Sequence, residues 1–105
     1  MNSVTLIGRL ATPVELRTYD ERRRATFLLV VEREESRGVD FVPVVCWNEV
    51  ADGCAQLVKG DRLALDGSVR TRRWEDAGGQ EHRAVEVVAA ATQPLPAAKE
   101  APMTA

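Results

Sequence analysis

Apolar and polar positions alternate with a period of two through most of the chain, the spacing of strands that bury one face. Val4, Leu6, Gly8 and Leu10 alternate with Ser3, Thr5, Ile7 and Arg9, which predicts a first strand over residues 3–10. Gly8 within it marks a bend or a close approach of backbones. Residues 11–24 read as a connection, with Pro13 near its start and Arg22, Arg23 and Arg24 near its end. A second strand is expected over residues 25–33, its core face formed by Phe27, Leu29 and Val31, and a short polar turn follows over residues 34–39. In a third strand, residues 40–47, Val42, Val44 and Cys46 share one face while Phe41, Pro43, Val45 and Trp47 share the other. Pro43 cannot donate to a ladder, so it implies an edge or a bulge at that point.

The spacing then changes. Val50, Ala51, Cys54, Leu57 and Val58 recur as on one face of a helix, with Asn48 as its cap and Gly60 closing the segment. Gly53 inside it costs about 1 kcal/mol relative to Ala. Alternation resumes at Asp61: Leu63, Leu65, Gly67 and Val69 fall on one face, Arg70, Arg72 and Trp74 on the other. Gly78-Gly79 supplies a hairpin turn, and Val85, Val87 and Ala89 return on one parity with Glu86 on the opposite one. Five strands with one short helix between the third and fourth, and a long hairpin joining the fourth and fifth, is the order of an all-β OB-fold, a five-stranded Greek-key barrel. One domain over residues 1–92 is expected. Residues 93–105, with Pro94, Pro96, Pro102 and several alanines, lose all periodicity and read as a short flexible tail.

Composition narrows the class without choosing a function. A chain of 105 residues with 45% hydrophobic and 29% charged content suits one globular core. The net charge of −2 gives no general support for a polyanion partner, so a nucleic-acid site has to be a local patch. Cys46 and Cys54 lack the spacing and the histidines of a zinc site and read as buried free thiols; no metal or other cofactor is expected. The start of the chain runs directly into a strand pattern, unlike a signal peptide or an anchor, which makes the cytoplasm the expected compartment.

The candidate chemistry lies on the outward parity of the strands. Trp74 stands among Arg70, Arg72 and Arg73 on the hairpin, and rings beside guanidinium groups suit a flexible polyanion whose bases stack while its phosphates pair. Phe41 and Trp47 could form the far wall of a sandwich or a stacking platform; a small barrel fills its interior from one face of each strand, which favours the platform. The Arg22–Arg24 triplet fits a solvated loop and a phosphate contact equally. Glu34 and Glu35 are neighbours on an extended turn, point apart, and make a solvated acidic loop rather than a catalytic pair. His82, the only histidine, has no nucleophile or second base beside it, so no enzymatic activity is expected.

Several separated motifs, in order, resemble the bacterial single-stranded DNA-binding proteins over residues 1–95: Asn2-Ser3-Val4-Thr5-Leu6-Ile7-Gly8-Arg9-Leu10 with Glu15-Leu16-Arg17, Asp40-Phe41 through Val44-Val45-Cys46-Trp47, Lys59-Gly60, Asp66-Gly67, Arg70-Thr71-Arg72-Arg73-Trp74, Gly79-Gln80 and Glu86-Val87-Val88. The resemblance implies an OB-fold subunit, usually a homotetramer (a dimer being the other assembly considered), that coats single-stranded DNA in replication, recombination and repair, in the cytoplasm and at the nucleoid. It assigns base stacking to Phe41, Trp47 and Trp74, the positions that alternation also turns outward. Phosphate contacts fall to Arg9, Arg70, Arg72, Arg73 and Arg83. Departures from the family pattern are Glu35 where an aromatic is usual, Arg83 in place of a tyrosine, Pro13-Val14 in place of Asp-Pro, a short turn over residues 34–39, and a C-terminus that lacks the acidic, phenylalanine-ended tip through which relatives recruit repair proteins. Two alternatives are a primosome-type OB-fold accessory subunit acting mainly through protein contacts, and a structural module in which Phe41 and Trp47 are buried between subunits.

Overall fold

Alternation over long stretches becomes long strands. The structure, a computed structural model, describes residues 1–96. In chain order it comprises β1 (Val4–Leu10), β2 (Glu15–Tyr19), β3 (Arg22–Glu32), β4 (Val39–Trp47), α1 (Asn48–Cys54), β5 (Arg62–Glu75) and β6 (Glu81–Leu95). Neighbours in the sheet run β1-β5-β6-β4-β3-β2, and β1 pairs again with β3 at Arg9–Val30 and Leu10–Leu29. Five strands therefore close on themselves while β2 lies outside the ring on β3. All pairings are antiparallel except that of β4 with β6, which is parallel and limited to Val44–Val87 and Val45–Val88. This is the partly open OB barrel expected from the alternation.

Closure depends on Gly8. A Cβ at that position would overlap the carbonyl oxygen of Val30, so β1 can reach β3 only with no side chain there. Inside the ring, Leu10, Phe27, Leu29, Val44, Cys46, Leu63, Leu65, Val87 and Ala89 form the buried core. The helix packs against β3, β4 and β6 and adds Ala51 and Cys54 to it. The two thiols are free and buried with their sulfurs 3.9 Å apart, and the hydrogen bond to Cys54, together with burial, pushes the Cys46 thiol well above its ordinary value. Pro43 lies beyond the short β4–β6 pairing, where β4 has only β3 beside it, as the edge expectation requires.

Four expectations are corrected. The presumed connection over residues 11–24 contains β2, which forms a hairpin with β3 through a turn at Asp20, φ 54°. All five residues of β2 are exposed, so backbone pairing alone holds it and no apolar alternation announces it. Second, the helix stops at Cys54, and Asn48 does not cap it: its side-chain oxygen instead accepts the backbone N–H of Arg23 at 3.0 Å, tying the end of β4 to the start of β3. Third, Val85 is expected inside and is 58% exposed, and Val69, which pairs with Val87 two residues further along β6, is exposed too. The β5–β6 arm outruns the barrel, so the inward parity has nothing to cover it there. Fourth, β6 continues past the expected domain end at Thr92 to Leu95. A bulge allows this: Asp66 faces Ala91 but Gly67 faces Ala89, and skipping Ala90 reverses the parity so that Leu65 meets Thr92 and Leu63 meets Pro94. The rest of the expected tail, residues 97–105, lies outside the described residues.

Candidate nucleic-acid interface

The outward face of β4 presents Phe41, Pro43, Val45 and Trp47, and the register with β3 sets Val30, Leu28, Thr26 and Arg24 opposite them in turn. On the arm, Arg70 stands opposite Glu86, Arg72 opposite Ala84 and Trp74 opposite His82, all on the same parity. Between these rows lies an open groove of about 710 Å³ whose lining includes Arg24, Thr26, Pro43, Val45, Arg72 and Glu86. Its walls set Arg24 and Arg72 against Glu15 and Glu86, its floor is largely apolar, and one tryptophan flanks each side through its neighbouring arginine.

Each indole already carries a cation. The guanidinium of Arg22 lies 4.2 Å from the Trp47 ring centroid and that of Arg24 lies 5.9 Å away. On the arm, Arg72 sits 4.4 Å over the Trp74 ring, and the imidazole of His82 stacks on the same indole at 5.4 Å with 19° between planes. The turn holds that histidine in place. Asp76 accepts the backbone N–H groups of Gly78 and Gln80 through one carboxylate oxygen and binds His82 Nε2 at 2.7 Å through the other. The His82 bond, then the backbone N–H groups of Gln80 and Gly78, hold the Asp76 carboxyl below its usual range. Gly79 takes the positive φ of 82° that closes the hairpin.

Trp74 is 39% exposed and Trp47 half-buried, so both rings have accessible surface. Phe41 is 60% exposed at the far end of β4, and pairs through Val30 with Arg9, giving a row of Arg9, Val30 and Phe41 on the same outer surface. Arg9 lies 3.6 Å from Glu32. The five arginines expected to meet phosphate do not form one set. Arg70 and Arg72 share the parity of Trp74, whereas Arg73 and Arg83 face each other directly on the reverse side of the arm, with Glu81 at 4.0 Å from Arg73.

The sequence reading places the Arg22–Arg24 triplet in a connection, as a solvated loop or a phosphate contact equally. Arg22 and Arg24 instead begin β3 and share its outward parity, the side away from Phe27 and Leu29. Arg23, between them, points the other way and makes a two-bond pair with Asp52 on the helix, 2.7 and 2.8 Å. Extending the second strand three residues upstream would have exposed that division. Glu86, taken as simply outward, is only 5% exposed beneath Arg70, which reaches one carboxylate oxygen at 3.2 and 2.6 Å. No local signal separates a buried outward residue from a solvated one.

Comparison with known proteins agrees with this geometry. The model of the Single-strand binding protein family matches residues 1–95. Among curated relatives, a single-stranded DNA-binding protein of Caldanaerobacter subterraneus subsp. tengcongensis is 43% identical over 96 residues, covering 85% of this chain and 64% of the relative. Single-stranded DNA-binding protein 2 of Listeria innocua is 38% identical over 100 residues, 89% of this chain and 63% of the relative. The single-stranded DNA-binding protein of Streptococcus mutans is 36% identical over 96 residues, 85% and 58% respectively. The chain thus spans about three fifths of the length of these relatives, and it belongs to the Single-strand binding protein family.

Proposed function

We propose that this chain binds single-stranded DNA with little overall sequence preference, protecting it during replication, recombination and repair. The observation that carries the reading is the groove flanked by Trp47 and Trp74, each beside a guanidinium group, in a chain of this family. Bases leave their own stack and restack on Trp47, Trp74 and Phe41, each contact contributing about 1–3 kcal/mol. Arg72 and Arg70, with Arg9 at the Phe41 end, neutralise phosphates and release counterions, and Arg73 and Arg83, on the reverse of the arm, do so only for a longer strand that passes round it. Duplex DNA binds poorly because its bases cannot restack. The action is binding without turnover, in the cytoplasm and at the nucleoid, by a homo-oligomer, a tetramer by family likeness. No feature of the described residues or of the relatives favours the primosome-type alternative.

Titration of intrinsic tryptophan fluorescence with oligo(dT) at two salt concentrations tests this. Quenching is expected, with tighter binding at low salt. The double variant Trp47→Ala/Trp74→Ala is expected to bind at least about tenfold more weakly while keeping its fold. Undiminished affinity in that variant would reject the stacking platform.

A further inference from the structure

Glu86 is the one buried charged residue among the described residues, yet it lines the groove rather than the core. Both hydrogen bonds from Arg70, through Nε and Nη2, end on Oε2; Oε1 has no hydrogen-bond partner among the described residues. A carboxylate oxygen withdrawn from water and left unpaired is costly, and an ion pair serving structure alone is commonly replaceable by apolar side chains. Glu86 lines a groove whose neighbouring floor is Pro43 and Val45 and whose walls carry Thr26, Glu15, Arg24 and Arg72. That is an apolar seat for a flat ring with one strong acceptor at its side.

We propose that Glu86 reads the base seated in this groove, its free carboxylate oxygen accepting a hydrogen bond from an exocyclic amino group, so that cytosine is favoured over thymine at this one seat. The proposal rests on the DNA-binding reading of the same face. Cytosine turns an amino group outward from its ring, and carboxylates accept from that nitrogen in base recognition generally. Thymine offers a single ring N–H set between two carbonyl oxygens, both of which a carboxylate repels. Arg70 fixes the carboxylate by holding Oε2, which leaves Oε1 as the reading atom. The remaining stacking contacts are indifferent to base identity, so the preference is a local bias within a generally tolerant interface.

The test compares oligo(dC) and oligo(dT) of equal length on the native protein and on Glu86→Gln, whose amide can turn either its oxygen or its nitrogen to the base. Intrinsic stacking differences between the two polymers are the same for both proteins and cancel in the comparison. The ratio of the dT to the dC dissociation constant is expected to be about fivefold higher for the native protein than for Glu86→Gln. A second arm needs no substitution: on the native protein, oligo(N4,N4-dimethyl-dC), which lacks both amino hydrogens, is expected to lose that advantage, while oligo(5-methyl-dC), which keeps them, binds like oligo(dC). An unchanged ratio in folded Glu86→Gln, or tight binding of the dimethylated polymer, overturns the role of Glu86 and leaves DNA binding standing. Failure of the native protein to bind any of the four polymers overturns both.

Discussion

Arg22 covers Trp47: the guanidinium carbon lies 4.2 Å from the ring centroid, on the surface where a base is proposed to stack. The two residues come from β3 and β4, and Arg24, the register partner of Trp47, sits between them and the groove. A cation over an exposed indole contributes about 0.5–1 kcal/mol, less than a stacked base, so the arginine can be displaced or can remain as the far slice of a sandwich.

Removing that cover should make the indole more mobile and wetter. In a Trp74→Phe background, where Trp47 alone reports, Arg22→Ala is expected to shift the emission maximum to the red and to leave the melting temperature within a few degrees of the parent, since only about 0.5–1 kcal/mol is lost. An unshifted spectrum would mean that Arg22 does not rest on the ring in solution.

The division of arginines across the arm predicts unequal salt effects. Arg72→Gln, on the Trp74 side, is expected to reduce the log–log salt slope for a short oligo(dT) by about 0.7, one phosphate contact. Arg73→Gln with Arg83→Gln, on the reverse side, should leave the slope for the same short oligonucleotide nearly unchanged. Because Arg73 and Arg83 are directly opposed like charges, relieving them should also raise stability by about 0.2–1 kcal/mol. Equal slopes for the two variants would show that DNA reaches both faces.

Two glycine replacements should act with opposite sign. Gly8→Ala drives a methyl into the carbonyl oxygen of Val30 and opens the β1–β3 seam, with an expected loss of about 3 kcal/mol in urea unfolding. Gly53→Ala meets no atom within 4 Å and lies in α1, so a gain of about 0.5–1 kcal/mol is expected. Similar costs at both positions would contradict the tight closure at Gly8.

The Arg23–Asp52 pair sets a pH dependence. Its hydrogen bond to Arg23 holds the Asp52 carboxyl below its ordinary value of 3.8, so the folded state binds this proton less readily than the unfolded chain. The contribution is therefore present above the ordinary carboxyl range and disappears as pH falls through the lowered folded value. Asp52→Asn should melt below the native protein at neutral pH, and the gap should close as pH falls below the ordinary carboxyl range. A gap that persists in acid would assign the effect to something other than the charge of Asp52. Both side chains are partly open to solvent, which screens the pair, so the gap is small even at its widest.

The stretches that could be read from the chain are those where one face meets the core. Leu63 and Leu65 on β5, Phe27 and Leu29 on β3, and Val44 and Cys46 on β4 announce their strands because burial forces apolar residues onto one parity. The outward placement of Phe41, Trp47 and Trp74 followed from the same rule. Failure came where that force is absent: β2 is exposed along its whole length, and Val85 continues an inward pattern past the end of the barrel. The arginines of β3 were misplaced for the same reason, since nothing apolar marks the first residues of that strand.

By itself, then, the sequence determined which residues turn inward within the barrel, the order of its five strands and helix, and the family, because each depends on local alternation or on motifs in register along the chain. Only the tertiary structure decided that Arg22 would lie over Trp47, that Arg73 and Arg83 would stand apart from Arg70 and Arg72, and that Glu86 would be sealed beneath Arg70 with one oxygen free. Those outcomes depend on which strands become neighbours and on the Ala90 bulge that shifts their register, and pairing across so many intervening residues leaves no trace in the spacing along any one strand.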